Sequence, residues 1–307
     1  IPPDVHATYM LQWNFSYQRQ FGKDWLATVN YLGNRTDHIL GAREINPVIN
    51  GKRFLTILNA AQGAQYASIV QTDDGNNANY NGLLLSLNHR FASHYTMLLN
   101  YTYSHCISTY DFGGELAGNN YQDPNNRAAE RGECNFDRRH IFNATMVAIS
   151  GGFGNGFARF ITKDWSLSPI ISAYSGQPFT PTDGGVDISA TAVGSDRPNR
   201  VIGGDIYPHT QSSWFNQQAF QKQLPGTFGN AGRDSLVAPG SFNWDMALSR
   251  EFHFKERYRF DLRADFFNVL NHGNWNAPAN SINSGTFGQI TTFSSPRIIQ
   301  MAMKFFW

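Results

Sequence analysis

The chain has 307 residues, 15% of them charged and 14% aromatic, with 28 glycines, two cysteines and a net charge of +1. Charge sits well below the roughly 25% of soluble domains, and no stretch approaches the ~18 consecutive apolar residues of a spanning helix. So neutral a balance gives no reason to expect nucleic acid as a partner, and two cysteines do not make a disulfide scaffold.

The N-terminus, Ile1-Pro2-Pro3-Asp4, has neither a basic n-region nor an apolar h-region, so no signal peptide is visible. For an exported protein this implies that the signal was removed or that the sequence starts partway along a longer chain. The first alternating row is Leu11, Trp13, Phe15 and Tyr17 against Gln12, Asn14, Ser16 and Gln18. Trp25, Ala27, Val29 and Tyr31 form the second. Leu83, Leu85, Leu87 and Phe91 oppose Ser86, Asn88 and Arg90, and Tyr95, Met97, Leu99, Tyr101 and Tyr103 oppose Thr96, Asn100, Thr102 and Ser104. Residues 138–150 alternate weakly, and their faces stay open. Trp165, Leu167, Ile171 and Ala173 follow, interrupted by Pro169. Phe242, Trp244, Met246 and Leu248 oppose Asn243, Asp245, Ala247 and Ser249. Tyr258, Phe260, Leu262, Ala264 and Phe266 alternate with Arg259, Asp261, Arg263 and Asp265, four successive charges that a wet lumen tolerates. The last row, Ile299, Met301, Met303, Phe305 and Trp307, ends on an aromatic at the final residue.

Period-two alternation over about 10–13 residues is what a tilted strand crossing a bilayer requires. Aromatic pairs gather at segment ends (Phe21 with Trp25, Phe91 with Tyr95, Phe252 with Tyr258, Phe305 with Trp307), as in an interfacial girdle. With the last strand running toward the periplasm, the inner connections are Phe21–Asp24, Ala92–His94, the Gly-rich 151–163 and His253–Arg257. The outer ones are roughly 34–79, 105–137, 176–241 and 269–295. Short and long links alternate throughout, as outer-membrane barrels require. The expected fold is therefore all-β, a transmembrane antiparallel β-barrel with short periplasmic turns and long extracellular loops, in contact with outer-membrane lipid. A soluble sandwich or propeller would favour Val, Ile and Leu facing a core and has no reason to end on Phe-Phe-Trp.

Nine strands is odd, whereas bacterial single-chain barrels have even counts. The expectation is that residues 1–307 form one partial barrel domain, the C-terminal ~9 strands of a larger barrel of about 22, with an N-terminal barrel and plug segment missing. A strand hidden in 53–71 (Arg53, Phe54, Leu55, Thr56, Ile57, Leu58) is the alternative.

These residues carry a family resemblance. The run from Trp13 to Trp25, Tyr31-Leu32-Gly33-Asn34-Arg35, Phe136-Asp137-Arg138-Arg139-His140, Asp196-Arg197-Pro198-Asn199, Trp214-Phe215-Asn216, Gly226 to Arg233, Phe266 to His272, Phe287-Gly288-Gln289-Ile290 and Ser295 to Gln300 resemble the barrel of Oar-like TonB-dependent transporters. That family is common in the Gram-negative Acidobacteria. The resemblance implies a plug, an N-terminal regulatory-like domain, a TonB complex as partner and energised uptake of an unknown solute that is large or scarce. A passive porin, or a surface structural or adhesive barrel, is the rival. The final aromatic row resembles the C-terminal signal presented to the barrel-assembly machinery.

The candidate sites are few. Cys106 and Cys134 fall in one outer loop facing an oxidising space, where a disulfide is expected; two unpaired thiols are the alternative. A zinc site with His105 or His140 matches no known spacing. Asp73-Asp74-Gly75-Asn76-Asn77 lacks the calcium-loop register and closing Glu, and reads as a solvated loop. Arg259, Asp261, Arg263 and Asp265 either line a solute path or pair along the wall. Asp137 to His140 read as a salt-linked strand start. Trp214, Phe215 and Phe220 suit stacking on a glycan-like ligand and equally suit a self-packed loop. No nucleophile or oxyanion pattern supports an enzyme, and no cofactor or metal site is expected.

Overall fold

The computed structural model describes residues 5–92, 94–110, 121–194, 196–254 and 258–307. Nine long strands dominate it: β1 (Tyr9–Phe21), β2 (Trp25–Glu44), β3 (Val70–Ala92), β4 (Tyr95–Ser108), β5 (His140–Gly151), β6 (Lys163–Tyr174), β7 (Ser241–Phe254), β8 (Tyr258–Phe267) and β9 (Ile298–Phe306). Each pairs antiparallel with the next in chain order, giving one up-and-down sheet, with a two-residue strand at Gly132–Glu133 added to the outer end of β4.

Register lays the faces out consistently. Tyr17, Val29, Leu85, Tyr101, Phe142, Ala173 and Phe242 are cross-strand neighbours along one line. One residue further along each odd strand, Gln18, Thr28, Ser86, Asn100, Asn143, Ser172 and Asn243 form the line on the opposite face. Because the side-chain period is two, one slip would mix the rows. The same register assigns 138–150: Phe142, Ala144, Met146 and Ala148 join the apolar row. Pro169 lies inside β6. The β5–β6 ladder is broken between Thr145–Ile170 and Ala148–Leu167, around that proline, whose ring supplies no N–H.

Tight packing and turns fix the rest. Trp13 lies over its cross-strand partner Gly33, whose absent side chain leaves the space for the indole; a Cβ there would collide with the Trp13 ring. The inner turn after β1 uses Gly22 at φ +60°, with Gln20 Nε2 donating to the Lys23 carbonyl at 3.1 Å. At the same end Tyr258 stacks on Phe305 and Phe305 on Trp307, with centroids 6.0 and 6.3 Å apart. The side chain of Phe91 and residues 255–257 lie outside the described residues.

The links refine the sequence expectation. β2 and β3 have 20 and 23 residues, about twice the ~9–11 of a spanning strand, so they rise past the membrane and shorten the first outer link to 45–69. Within that link Phe54–Leu58 is a short helix, α1, and not a tenth strand. The link 152–162 holds α3 (Phe157–Thr162), with α2 at Ala60–Gly63 the other short helix. Phe153, Phe157 and Phe160 on this inner link are exposed, while Arg250, on the apolar row of β7, is covered by it. The Arg250 guanidinium lies over the rings of Phe252, Phe160 and Trp165 and donates to the Phe160 carbonyl.

The sheet is open. All 13 residues of β1 and all nine of β9 are exposed, and the two edges do not pair with each other.

Candidate functional site: the outer loop assembly

The outer links are packed against one another. Phe215 is fully buried, with Phe220 and Phe287 edge-on to it at 5.7 and 5.1 Å, and Ile206, Ala219, Ala231 and Leu236 complete an apolar core. This core joins link 175–240 to link 268–297, and the main chain joins them again through Trp214 N–H to Gly288 O (2.8 Å) and Thr182 N–H to Asn280 O (2.9 Å). Of the two sequence readings of Trp214, Phe215 and Phe220, the self-packed one describes Phe215 and Phe220. Trp214 packs against the same core from its rim.

A second layer is ionic and buried. Arg197 donates to Glu130 Oε2 at 2.6 Å and Oε1 at 3.2 Å, both side chains being about one-twentieth exposed. Gln122 bridges them: its main-chain N–H donates to Glu130 Oε1 (2.9 Å), and its side-chain oxygen accepts from the Arg197 N–H (2.8 Å). Arg233 donates to the Glu130 and Ser108 carbonyls and pairs with Asp234 at 2.7 Å, while Asp234 exchanges hydrogen bonds with Thr180. Thr109, Tyr110, Tyr121, Gln122, Thr180, Asp196 and Arg197 line part of a cavity of about 440 Å³ beside this network.

The predicted residues fall as follows. Cys106 and Cys134 are bonded to each other, with Cα atoms 5.4 Å apart, and both are buried. The Cys134 N–H also donates to the Cys106 carbonyl, so the bond closes a strand-end already held by hydrogen bonds. Reduction is therefore expected to cost about 2 kcal/mol, the low end for a native disulfide. The readout is faster tryptic cleavage at Arg127 and Arg131 in reductant, and unchanged cleavage would contradict it. Arg139 pairs with Glu133 (3.0 Å) and lies 3.7 Å from Asp137, while Arg138 donates to the Ser175 carbonyl. His140 sits apart, against Tyr101 OH at 2.8 Å. Arg259 pairs with Asp261 (3.1 Å) and Arg263 with Asp265 (2.9 Å) along one face of β8. The calcium-like run is divided: Asp73 pairs with Arg127 and accepts from Tyr121 OH, whereas Asp74 meets two histidines. Burial pushes the Tyr121 phenol up from its ordinary range.

Burial also pushes the Asp183 carboxyl up, with Asp196 nearby adding to it; one oxygen accepts from Gln223 and the other has no donor. A carboxyl raised on folding contributes stability that is complete below its unfolded pKa and lost as pH rises through the folded one. Asp183→Asn is thus expected to stabilise the loop assembly at pH 7, by ~1 kcal/mol on the scale of one hydrogen bond, and to give no gain at pH 4. Thermal unfolding at both pH values checks this; destabilisation at pH 7 would contradict it.

A sheet with one continuous apolar face, polar residues opposite, aromatic ends and folded outer links is the wall of an outer-membrane β-barrel. Residues 1–300 match the outer membrane beta barrel domain family, and the chain belongs to it. It therefore resides in the bacterial outer membrane. Among solved structures, the outer membrane transporter YddB from Escherichia coli superposes with a TM-score of 0.54 at 11% identity, over 99% of this chain and 33% of that one. BauA, the ferric preacinetobactin receptor from Acinetobacter baumannii, gives 0.48 at 10% identity (97% and 29%), and the copper transporter OprC 0.46 at 9% (99% and 32%). The chain spans about a third of the length of these proteins. No curated protein matches it.

Proposed function

We propose that this chain is the C-terminal part of the barrel of a TonB-dependent transporter, importing a large or scarce solute with energy from an inner-membrane complex. The observation that carries the reading is the open sheet: β1 and β9 each present an unpaired edge, and bare edges are not sustained in lipid. Further strands must cover them. The superposition on about a third of a transporter from E. coli supports the same reading. Arg259, Asp261, Arg263 and Asp265 then face the lumen, ion-paired along the strand, while Ile299, Met301, Met303, Phe305 and Trp307 face lipid and present the assembly signal. The disulfide pins an outer link in an oxidising space. Outer links held by a buried apolar core and buried ion pairs favour a gated receptor over an open porin.

Intact mass and N-terminal sequencing of the protein from outer membranes test the first part. A longer polypeptide with strands and a plug upstream of Ile1 is expected; a 34.5 kDa chain beginning at Ile1 would overturn it. Energy coupling predicts that solute uptake stops when the proton-motive force is dissipated. Uptake that continues unchanged would favour the passive barrel.

A further inference from the structure

His6, His38 and Asp74 converge at the outer ends of β1–β3. Asp74 Oδ2 lies 2.9 Å from His6 Nδ1 and 3.6 Å from His38 Nδ1, and the three ligand atoms all lie within 4.8 Å of one another. Ligand atoms around a tetrahedral first-row dication sit ~3.3 Å apart, given metal–nitrogen bonds of about 2.0–2.1 Å. Shifts below about 1 Å at side-chain ends bring this set into that range.

The backbone prepares this meeting. β2 and β3 lose register between Asp37 and Ile39, so His38 stands in a bulge, at φ +58°, where a non-glycine residue is strained. That bulge aims its ring at Asp74, with Tyr9 on one side (5.6 Å) and His6 on the other (4.7 Å). Thr8 Oγ1 donates to the His38 carbonyl and holds the bulge against the segment that carries His6. Asp74 accepts from the His6 main chain at 2.7 Å as well as lying 2.9 Å from its ring nitrogen, so the segment before β1 is held against this carboxylate.

A second cluster of similar composition, His105, Glu133 and Asp137, differs in a decisive way. Arg139 donates to Glu133 at 3.0 Å and lies 3.7 Å from Asp137, so that site already holds its cation. No arginine or lysine pairs with Asp74 among the described residues. With His6 two-thirds exposed, the remaining coordination positions open to the outside.

We propose that His6, His38 and Asp74 form a surface site for a first-row transition-metal dication, two imidazole nitrogens and one carboxylate with open positions. Such a donor set suits Zn²⁺ and binds Cu²⁺ more tightly. The inference stands whether or not uptake is energised.

The test is Cu²⁺ titration of the full-length protein in detergent, with the electron paramagnetic resonance spectrum recorded at one equivalent. Hyperfine structure from two imidazole nitrogens is expected. His6→Ala and His38→Ala should each weaken binding at least as much as loss of an outer-shell partner does, roughly 10–100-fold, and leave one nitrogen. His105→Ala, in the second cluster, should change neither. Unaltered affinity in His6→Ala and His38→Ala, or loss of the signal in His105→Ala, would overturn the assignment. The wild-type spectrum decides independently of how any variant assembles, since a signal without two nitrogens is also fatal.

Discussion

Glu130→Ala is expected to cost the outer loop assembly about 3–5 kcal/mol, because it leaves the Arg197 guanidinium buried without its partner. The loss would spread. The Glu130 carboxylate also accepts from the Gln122 N–H, so one carboxylate ties its own link to Arg197, 67 residues away, while the Arg233 bond to the Glu130 main-chain carbonyl survives the substitution. Limited proteolysis of the membrane-embedded protein reads this out: links 109–139 and 175–240 should be cut far faster while the strands stay protected. Replacing both Glu130 and Arg197 with methionine should recover most of the stability, since an apolar pair of similar volume removes the charges together. Equal cleavage of Glu130→Ala and wild type would mean the ion pair holds nothing.

The second large effect separates the two faces of β9. Met301→Arg places a charge on the row shared with Ala264 and Leu248, and should cost about 2–4 kcal/mol if that row meets the bilayer midplane. Ala302→Arg, one residue on, lies on the row of Arg263 and Ser249 and should cost little. Urea midpoints of the two variants in lipid vesicles measure the difference. Equal costs would remove the distinction between the lipid and lumen faces.

What the sequence revealed and what it hid follow from the range of each interaction. Period-two alternation and the order of short and long links are local, so all nine strands could be placed. The Phe54–Leu58 run was ambiguous because a short apolar stretch has no period that separates helix from strand. β5 alternates weakly on its own, and its faces emerge only from pairing with β4. The outer extension of β3 is mostly polar, and that of β2 sets Ile39 and Leu40 side by side, so neither keeps the apolar–polar alternation that marks a strand. Phe215 and Phe220 have the same composition whether they bind a ligand or pack a core, and their partner Phe287 lies in another link. His6, His38 and Asp74 come from three segments joined only by strand register and a bulge, which single-sequence spacing cannot reveal.

On this structure the sheet is a membrane-spanning wall with one lipid face. Single cysteines placed at positions 299 to 305 and labelled with nitroxide test it directly, since the native cysteines are bonded to each other and do not react. In vesicles, relaxation by oxygen should peak at 299, 301, 303 and 305, and relaxation by a water-soluble nickel chelate at 300, 302 and 304. Two profiles without alternation, or nickel access along the whole odd row, would contradict the account.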